Sequence, residues 1–593
     1  MAATGSAKAE GIRKQLGTPR MDPLTVLVRE SAQNSWDAAD TGSGSVRYAI
    51  DLARLTSEQL LRWRSRLCPG PDGGDLGIEE LFTSGDPVMA VISDRGTQGL
   101  GGPLRADVAL SPKSDFVRLL RNIGEPRDRQ FGGGTYGFGK GILFATSSVG
   151  TILVRTRCHW QGRLQTRLIA AALGTGFQRD GRIYTGRHWW GKIVEGVPDP
   201  VLDAEAEELA GYLGLPPMQP DELGTDIVIV GATLGAVAVD GAEDEERPRT
   251  VRQAAEHLAS AMMWNLWPLL LPTDTATALH CQVTADGVDV QVPRPQDEPC
   301  IKPFVDAYRA LGDSPTTILR KRPATVLGHF AVRTGIAPIH TSVASLAAPF
   351  TGPAHHCARI RTPRLIVDYL EGPRLANDAV QYGAVFRAEQ EHNQVFADAE
   401  PPTHDAWVPD KLTGNAASIV RRAEAELRTA LAAYAEQQTG TSLGGGTQPP
   451  LGALANRLAA LIPAASGPGA DGGGGSFPSN GGGAPLARLT NAPRMVRLDG
   501  VSRIVAGFRV APTSQSVTVQ VIAAVALDVG SEDEPPVGAD VPVVLEMRDE
   551  DGRTVPGDTV TVGPADRRDW IVIIRPASGA AAKVRLIARH GDA

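Results

Sequence analysis

Apolar positions near the start of the chain recur at helical spacing. Leu24, Leu27, Val28, Ser31 and Ala32 form one stripe, opened by Asp22-Pro23, a capping carboxylate followed by proline at the first helical position. This pattern predicts a helix over Leu24–Ala39. Each helical residue advances about 100°, so Glu30, Asn34 and Asp37 fall within roughly 60° of one another on a neighbouring stripe. A carboxylate, an amide and a second carboxylate then converge. Such a set can hold a hydrated Mg²⁺ through hard oxygens and polarise a water, and it equally suits a solvated polar helix face.

Further along, the period switches. Val46, Tyr48, Ile50 and Leu52 alternate as in a half-buried strand, Leu55–Leu67 reads as a helix, and Val88–Ile92 is a short buried strand. A helix is expected over Ser114–Ile123, strands at Thr151–Arg157, Thr166–Ala172 and Gly224–Val230, and an amphipathic segment at Ala204–Leu213. Helices and strands mix without regular βαβ alternation, which predicts an α/β layered sandwich over residues 23–240, preceded by an arm at 1–22. An acidic break at Asp240–Glu246 marks a boundary. A second α/β domain is expected over 250–438: a buried helix Ala254–Trp267 ended by Pro268, strands at Ala278–Val283, Val288–Val292, Ala324–Val332, Arg364–Leu370 and Tyr382–Ala388, a helix near Phe304–Leu311, and a closing helix Asn415–Gln438. Residues 439–488 hold Gly/Pro/Ser tracts around a short amphipathic piece and read as a linker. From 489 to 593 the period is two, with turn residues between runs, predicting a β-sandwich or barrel that would serve as an adaptor.

Composition sharpens this picture. The formal net charge of −8 leaves no global positive field, so nucleic acid would need a local patch such as Arg320-Lys321-Arg322 or Arg359–Arg364. Five cysteines are scattered with no C-x-x-C, which fits a reducing cytoplasm and yields no zinc set. No apolar run reaches bilayer-spanning length and residues 1–17 carry no h-region, so no membrane association is expected.

Three more stretches carry chemistry. Asp94-x-Gly96-x-x-Gly99 closes a strand; its carboxylate can accept a hydrogen bond from an adenine amino group while the glycines let backbone approach base and ribose. Gly133–Gly141, with Gly134, Gly137, Gly139 and Lys140, is a glycine-rich loop entering an apolar helix. Amides at a helix start bind phosphate and Lys140 adds a point charge, although G-x-x-x-x-G-K-[ST] is not matched because Gly141 follows Lys140. Gly224-Thr225 opens a β-branched strand and offers a hydroxyl.

In this order and spacing, the four elements resemble the GHKL ATPase superfamily, which includes the DNA gyrase B subunit, the large heat-shock chaperones, sensor histidine kinases and MutL, and whose nucleotide module is the Bergerat fold. The likeness covers roughly residues 20–235. It implies ATP and Mg²⁺ as ligands, Glu30 as the general base for the attacking water, Asn34 as the metal ligand, and Asp37 as the acidic residue closing the first motif. It further implies Asp94 and Gly96 as the adenine-reading pair, Gly137, Gly139 and Lys140 as the phosphate lid, and Thr225 as the threonine of the last motif. Two departures stand out: Gln98 occupies the usual final glycine position, with Gly99 one residue later, and Arg95 replaces a small or amide residue.

An N-terminal ATPase module followed by an α/β domain resembles the gyrase B, MutL, chaperone and MORC arrangement rather than sensor kinases, since none of the 11 histidines precedes the module. That arrangement implies a transducer at 250–438 supplying a basic residue to the γ-phosphate (Lys321, Arg359, Arg361, Arg364 or Lys411) and a homodimer closed by ATP. The expected function is a slow ATPase acting as an ATP-gated clamp or switch, with DNA as partner in DNA maintenance or phage defence. The alternative is a chaperone-like scaffold gating protein contacts. His355-His356-Cys357 reads as structural, and His404-Asp405 lacks a nucleophile and makes no triad.

Overall fold

The computed structural model describes residues 21–40, 44–70, 76–84, 86–106, 114–121, 141–238, 246–271, 278–337, 343–361, 364–377, 379–401, 403–438, 486–490, 493–498, 501–527, 530–532, 540–549, 553–564, 566, 569–577 and 582–590. Helix α1 spans Pro23–Asp37, with the Asp22 side chain accepting from the Leu24 amide at 2.9 Å. Strand β1 (Ser45–Arg54) runs into a capping box, Thr56 with Gln59, that starts α2 (Ser57–Leu67) two residues later than apolar periodicity alone suggests. Then come α3 (Ile78–Ser84), β2 (Val88–Arg95), the short α4 (Asp115–Leu120) and α5 (Gly141–Ala145), the long hairpin β3 (Ser147–Trp160) and β4 (Arg163–Leu173), β5 (Arg187–Trp190), β6 (Val201–Leu202), α6 (Asp203–Tyr212) and β7 (Gly224–Ala232). Beyond the acidic break lie α7 (Val251–Leu270), β8 (Ala278–Ala285) and β9 (Val288–Val290).

The first sheet has the order β6-β4-β3-β7-β2-β1-β8-β9, with β5 beside β4. Its alternation gives it two buried faces. Tyr48, Ile50, Leu52, Ile92, Ile152, Val154 and Ile229 face α1 and α7. Met89, Leu153, Leu168, Val228 and Val230 face α2, α3 and α6. Each fully buried aliphatic side chain here contributes about 1.5–3 kcal/mol by leaving water. Strands β8 and β9, grouped by sequence with the second domain, join this sheet, and β8 pairs parallel with β1 from Ser45↔Ala278 to Leu52↔Ala285. Pairing across 230 residues leaves no local signature.

A second sheet follows: α8 (Lys302–Asp313), β10 (Thr316–Lys321), β11 (Ala324–Ile336), β12 (His355–Ile360), β13 (Ile366–Glu371), β14 (Val380–Ala388), α9 (Asn393–Asp398) and α10 (Gly414–Gln438), with the strand order β10-β11-β14-β12-β13. Helix α7 serves both cores. Leu258, Met262 and Leu266 pack in the first, whereas Met263, Trp264 and Trp267 pack in the second. It also runs through Pro268 rather than stopping there. Proline cannot donate to the Trp264 carbonyl four residues back, and the Tyr369 hydroxyl donates to that oxygen instead at 2.6 Å. Residues up to 432, apart from short segments, form one compact unit.

The second unit is mainly β. Two antiparallel sheets share one core, with Phe508, Trp570 and Val572 from one and Val519, Val521 and Val560 from the other. Among the described residues, no helix is long and apolar enough to cross a membrane.

On the β7 face away from α1, Asp226 is 0% exposed. It accepts from Arg155 Nε (2.8 Å), Arg95 Nη2 (2.8 Å) and Ser93 (2.7 Å). Removing one partner of a buried pair strands the other charge. Asp226→Ala should therefore cost about 3–5 kcal/mol in urea unfolding. Arg47→Ala, which breaks the exposed pair with Glu222, should change stability by less than about 0.5 kcal/mol.

Candidate functional site

The α1 face of the first sheet carries a cleft of about 720 Å³, including its open mouth. Its lining joins α1 (Glu30, Ser31, Asn34, Ser35) to the ends of β2 and β7 (Ile92, Asp94, Thr225, Ile227), the turn at Thr97–Leu100, and α4 and α5 (Asp115, Leu119, Ile142, Leu143). Apolar walls with a few polar groups converging between them give the cleft the mixed lining of a small-molecule site.

Strand register assembles the floor. Tyr48, Asp94, Thr225 and Thr156 lie opposite one another across β1, β2, β7 and β3. The Tyr48 hydroxyl sits 2.6 Å from Ser31 Oγ and fixes the middle of α1 on the sheet. Asp94 Oδ1 accepts from Thr97 Oγ1 (2.5 Å) and the Thr225 amide (3.0 Å), and Oδ2 accepts from Ser35 (3.1 Å). Among the described residues Oδ2 accepts this one hydrogen bond, and Asp94 lines the cleft. Burial pushes the Asp94 carboxyl above its ordinary range, and the Thr97 and Ser35 hydrogen bonds oppose that shift.

The turn after β2 accommodates its unusual spacing. Gly96 and Gly99 both have positive φ (76° and 62°). A Cβ at Gly99 would lie 2.2 Å from the Arg157 carbonyl, so only glycine fits. Gln98 lies between them, its amide donating to Ala38 O at 2.9 Å, and its side chain is exposed. Thr156 accepts the Leu100 amide (2.8 Å), and the buried Arg167 donates to the Gly102 carbonyl (2.9 Å), pinning the following loop. Arg95 points to the other sheet face and Asp226, so it does not crowd the cleft.

Glu30 is 8% exposed. Among the described residues, no hydrogen bond is made to its carboxylate. Burial pushes this carboxyl up; the charges of His404 and then Arg29 pull it down, and Glu400 and Asp405 push it up again. Asn34 is half-buried one turn on, and its carboxamide likewise carries no hydrogen bond among the described residues. Asp37 ends α1 and does not line the cleft. Gly134, Gly137, Gly139 and Lys140 lie outside the described residues; α5 begins directly after them. Ser35, Thr97 and Asp115 line the site without having been singled out from sequence. Thr97, three residues after Asp94, was visible as a local side-chain turn, but Ser35 and Asp115 carried no such mark.

The five basic candidates separate. Arg359 is paired with Asp368 and Arg361 with Glu400. Lys411 Nζ donates to the Glu400 carbonyl at 3.2 Å, and Lys321 is exposed at the end of β10. Arg364 lies over the Trp36 ring of α1, 5.2 Å from its centroid. His355 contacts Glu371 at 3.1 Å and His356 stacks on Phe350 at 3.9 Å, both as parts of the second core. Arg320 is buried and donates to Asn415, which splits the Arg320–Arg322 run.

Because Glu30 binds its proton more tightly folded than unfolded, it favours the folded state below the ordinary glutamate value. That favour is lost as pH rises through the raised one. Glu30→Gln should accordingly raise the melting temperature at neutral pH, with the gain shrinking on acidification toward pH ~4.5. Scanning calorimetry across pH reads this directly.

No known family model matches this chain, and no curated protein matches it.

Proposed function

We propose that this chain is an ATPase of the GHKL type, binding adenine nucleotide in the α1 cleft and hydrolysing it with Glu30 as general base. The observation that carries the reading is a buried carboxylate and, one turn on, a carboxamide, neither hydrogen-bonded through its side chain among the described residues, on the wall of the cleft whose floor holds the Asp94 carboxylate. Buried polar groups are ordinarily paired, so the open ones mark where a ligand would supply the partners.

In this reading Asp94 accepts a purine amino N–H, held in place by Thr97, Ser35 and the Thr225 amide, while Ile92, Leu143 and Ile227 wall the base. Glu30 takes the proton of an attacking water, and its raised affinity for protons at rest suits slow turnover. The donor set fits Mg²⁺. Asn34 offers one hard oxygen, and Mg²⁺ with nucleotide needs only one or two protein ligands; among the described residues there is no cage of three or more His, Cys, Asp or Glu. When bound, the ion would offset phosphate charge. Gly134, Gly137, Gly139 and Lys140 remain the proposed phosphate lid. The first sheet with its helices would be the Bergerat-type layer and the second sheet the transducer, with Arg364, which lies over Trp36 of α1, as its cation. An ATP-closed homodimer gating DNA remains the proposed use.

Glu30→Ala should lower turnover about 10²–10⁴-fold while nucleotide still binds, measured by phosphate release beside calorimetric titration. Unchanged turnover would remove Glu30 from the reaction. Asp94→Asn should weaken ATP binding about 10- to 100-fold, the worth of one charge-assisted hydrogen bond, and should weaken GTP binding less.

A further inference from the structure

Joined to Arg29, the residue before Glu30, lies a buried polar cluster that the proposed reaction does not use. Glu400, immediately after α9, is 0% exposed. Its carboxylate accepts from Arg361 Nε and, at 3.1 Å, from Arg361 Nη2. It also lies 2.7 Å from His404 Nδ1. A carboxylate only accepts, so Nδ1 carries the proton and Nε2 is the remaining ring nitrogen. His404 is itself buried and holds a positive φ of 51°, a conformation that a non-glycine residue keeps only when its surroundings enforce it. What enforces it comes from both sides. Glu400 grips the ring, and the His404 carbonyl accepts Arg29 Nη2 at 2.7 Å, from a residue 375 positions away.

Arg29 precedes Glu30. Its guanidinium also donates to Asn265 Oδ1 on α7 (2.7 Å) and to the Val367 carbonyl on β13 (3.0 Å). The turn of α1 that carries Glu30 is thereby clamped at two carbonyls, Val367's on the second sheet and His404's in the loop between α9 and α10. We propose that the chain Arg361–Glu400–His404 is a positioning device for Glu30, holding an imidazole against that turn and making turnover at Glu30 depend on the second half of the molecule. This rests on the ATPase reading above. The charge on His404 is the largest influence favouring ionised Glu30, ahead of Arg29, with Glu400 and Asp405 acting against it. Glu400 thus has a divided part: it repels Glu30 directly and favours it by holding the imidazole. An exposed ion pair would be worth little here, but a cluster enclosed by protein keeps its electrostatic strength.

The test uses the full chain. His404→Asn keeps an N–H for Glu400 and tolerates the left-handed backbone, but removes the imidazole. Glu400→Gln keeps shape and removes charge. Both should lower kcat about 10- to 100-fold while the calorimetric Kd for ATP stays within about twofold. Added imidazole should restore part of the rate to His404→Ala. Unchanged kcat in His404→Asn and Glu400→Gln, or a Kd that rises as kcat and the melting temperature fall, overturns the positioning role. Should His404→Ala fail to fold, the other two variants decide. An inactive wild-type chain overturns the ATPase reading and this inference together; an active wild type with unaltered variants overturns only the inference.

Discussion

A buried carboxylate resists folding, and α1 holds one in Glu30, to which no described residue donates a hydrogen bond. Glu30 keeps its place because every other face of α1 is committed. Leu27 and Val28 are buried against the sheet, Ser31 is fixed to Tyr48, Ser35 reaches Asp94, and Arg29 makes three hydrogen bonds, one each to α7, the second sheet and the loop before α10. Withdraw those commitments and the helix would turn its polar face to water, which is what a free peptide of this sequence would do. The energy that keeps the acid in place comes from apolar burial and from hydrogen bonds several ångströms away.

The same economy orders the sheet. Side chains alternate along each strand, so Asp94 and Thr225 face the cleft while their neighbours Arg95 and Asp226 face the other way and join Arg155 in a dry ionic cluster. Register allows no slip. Moving β7 by one residue would put Asp226 on the cleft side and Thr225 among the arginines. The buried cluster adds little net stability against an apolar substitute, but it makes the wrong registers expensive.

Much of this was legible along the chain. The stripe Leu24–Ala32 foretold the buried face of α1, and Glu30 and Asn34 fell on the cleft side as the 100° spacing required. Asp94 and Thr225 stood at strand ends, where backbone opens. Asp37 shares that helical face, yet at the last residue of α1 it does not line the cleft. What stayed hidden depends on distance along the chain. Nothing local marks His404 as the neighbour of Arg29, or β8 as the partner of β1, because those contacts are chosen by packing. Pro268 misled for a related reason: its missing donor is replaced by Tyr369, a residue 105 positions away. Arg95, a departure from the resembled motif, takes the strand face toward Asp226 and so stays out of the cleft, which only the register reveals.

The parallel pairing of β1 with β8 has a consequence for how this protein comes to exist. A nascent chain that has reached the end of β7 already carries Glu30, Asn34, Asp94 and Thr225, yet β1 is still an open edge, with a row of unpaired amides and carbonyls waiting for residues 278–285. Helix α7, which covers the same face, is also still to be made. The stretch that looks self-sufficient in one dimension therefore stays open in three until residues 278–285 arrive, and ribosomal pausing before that point would leave it exposed to pairing with other chains.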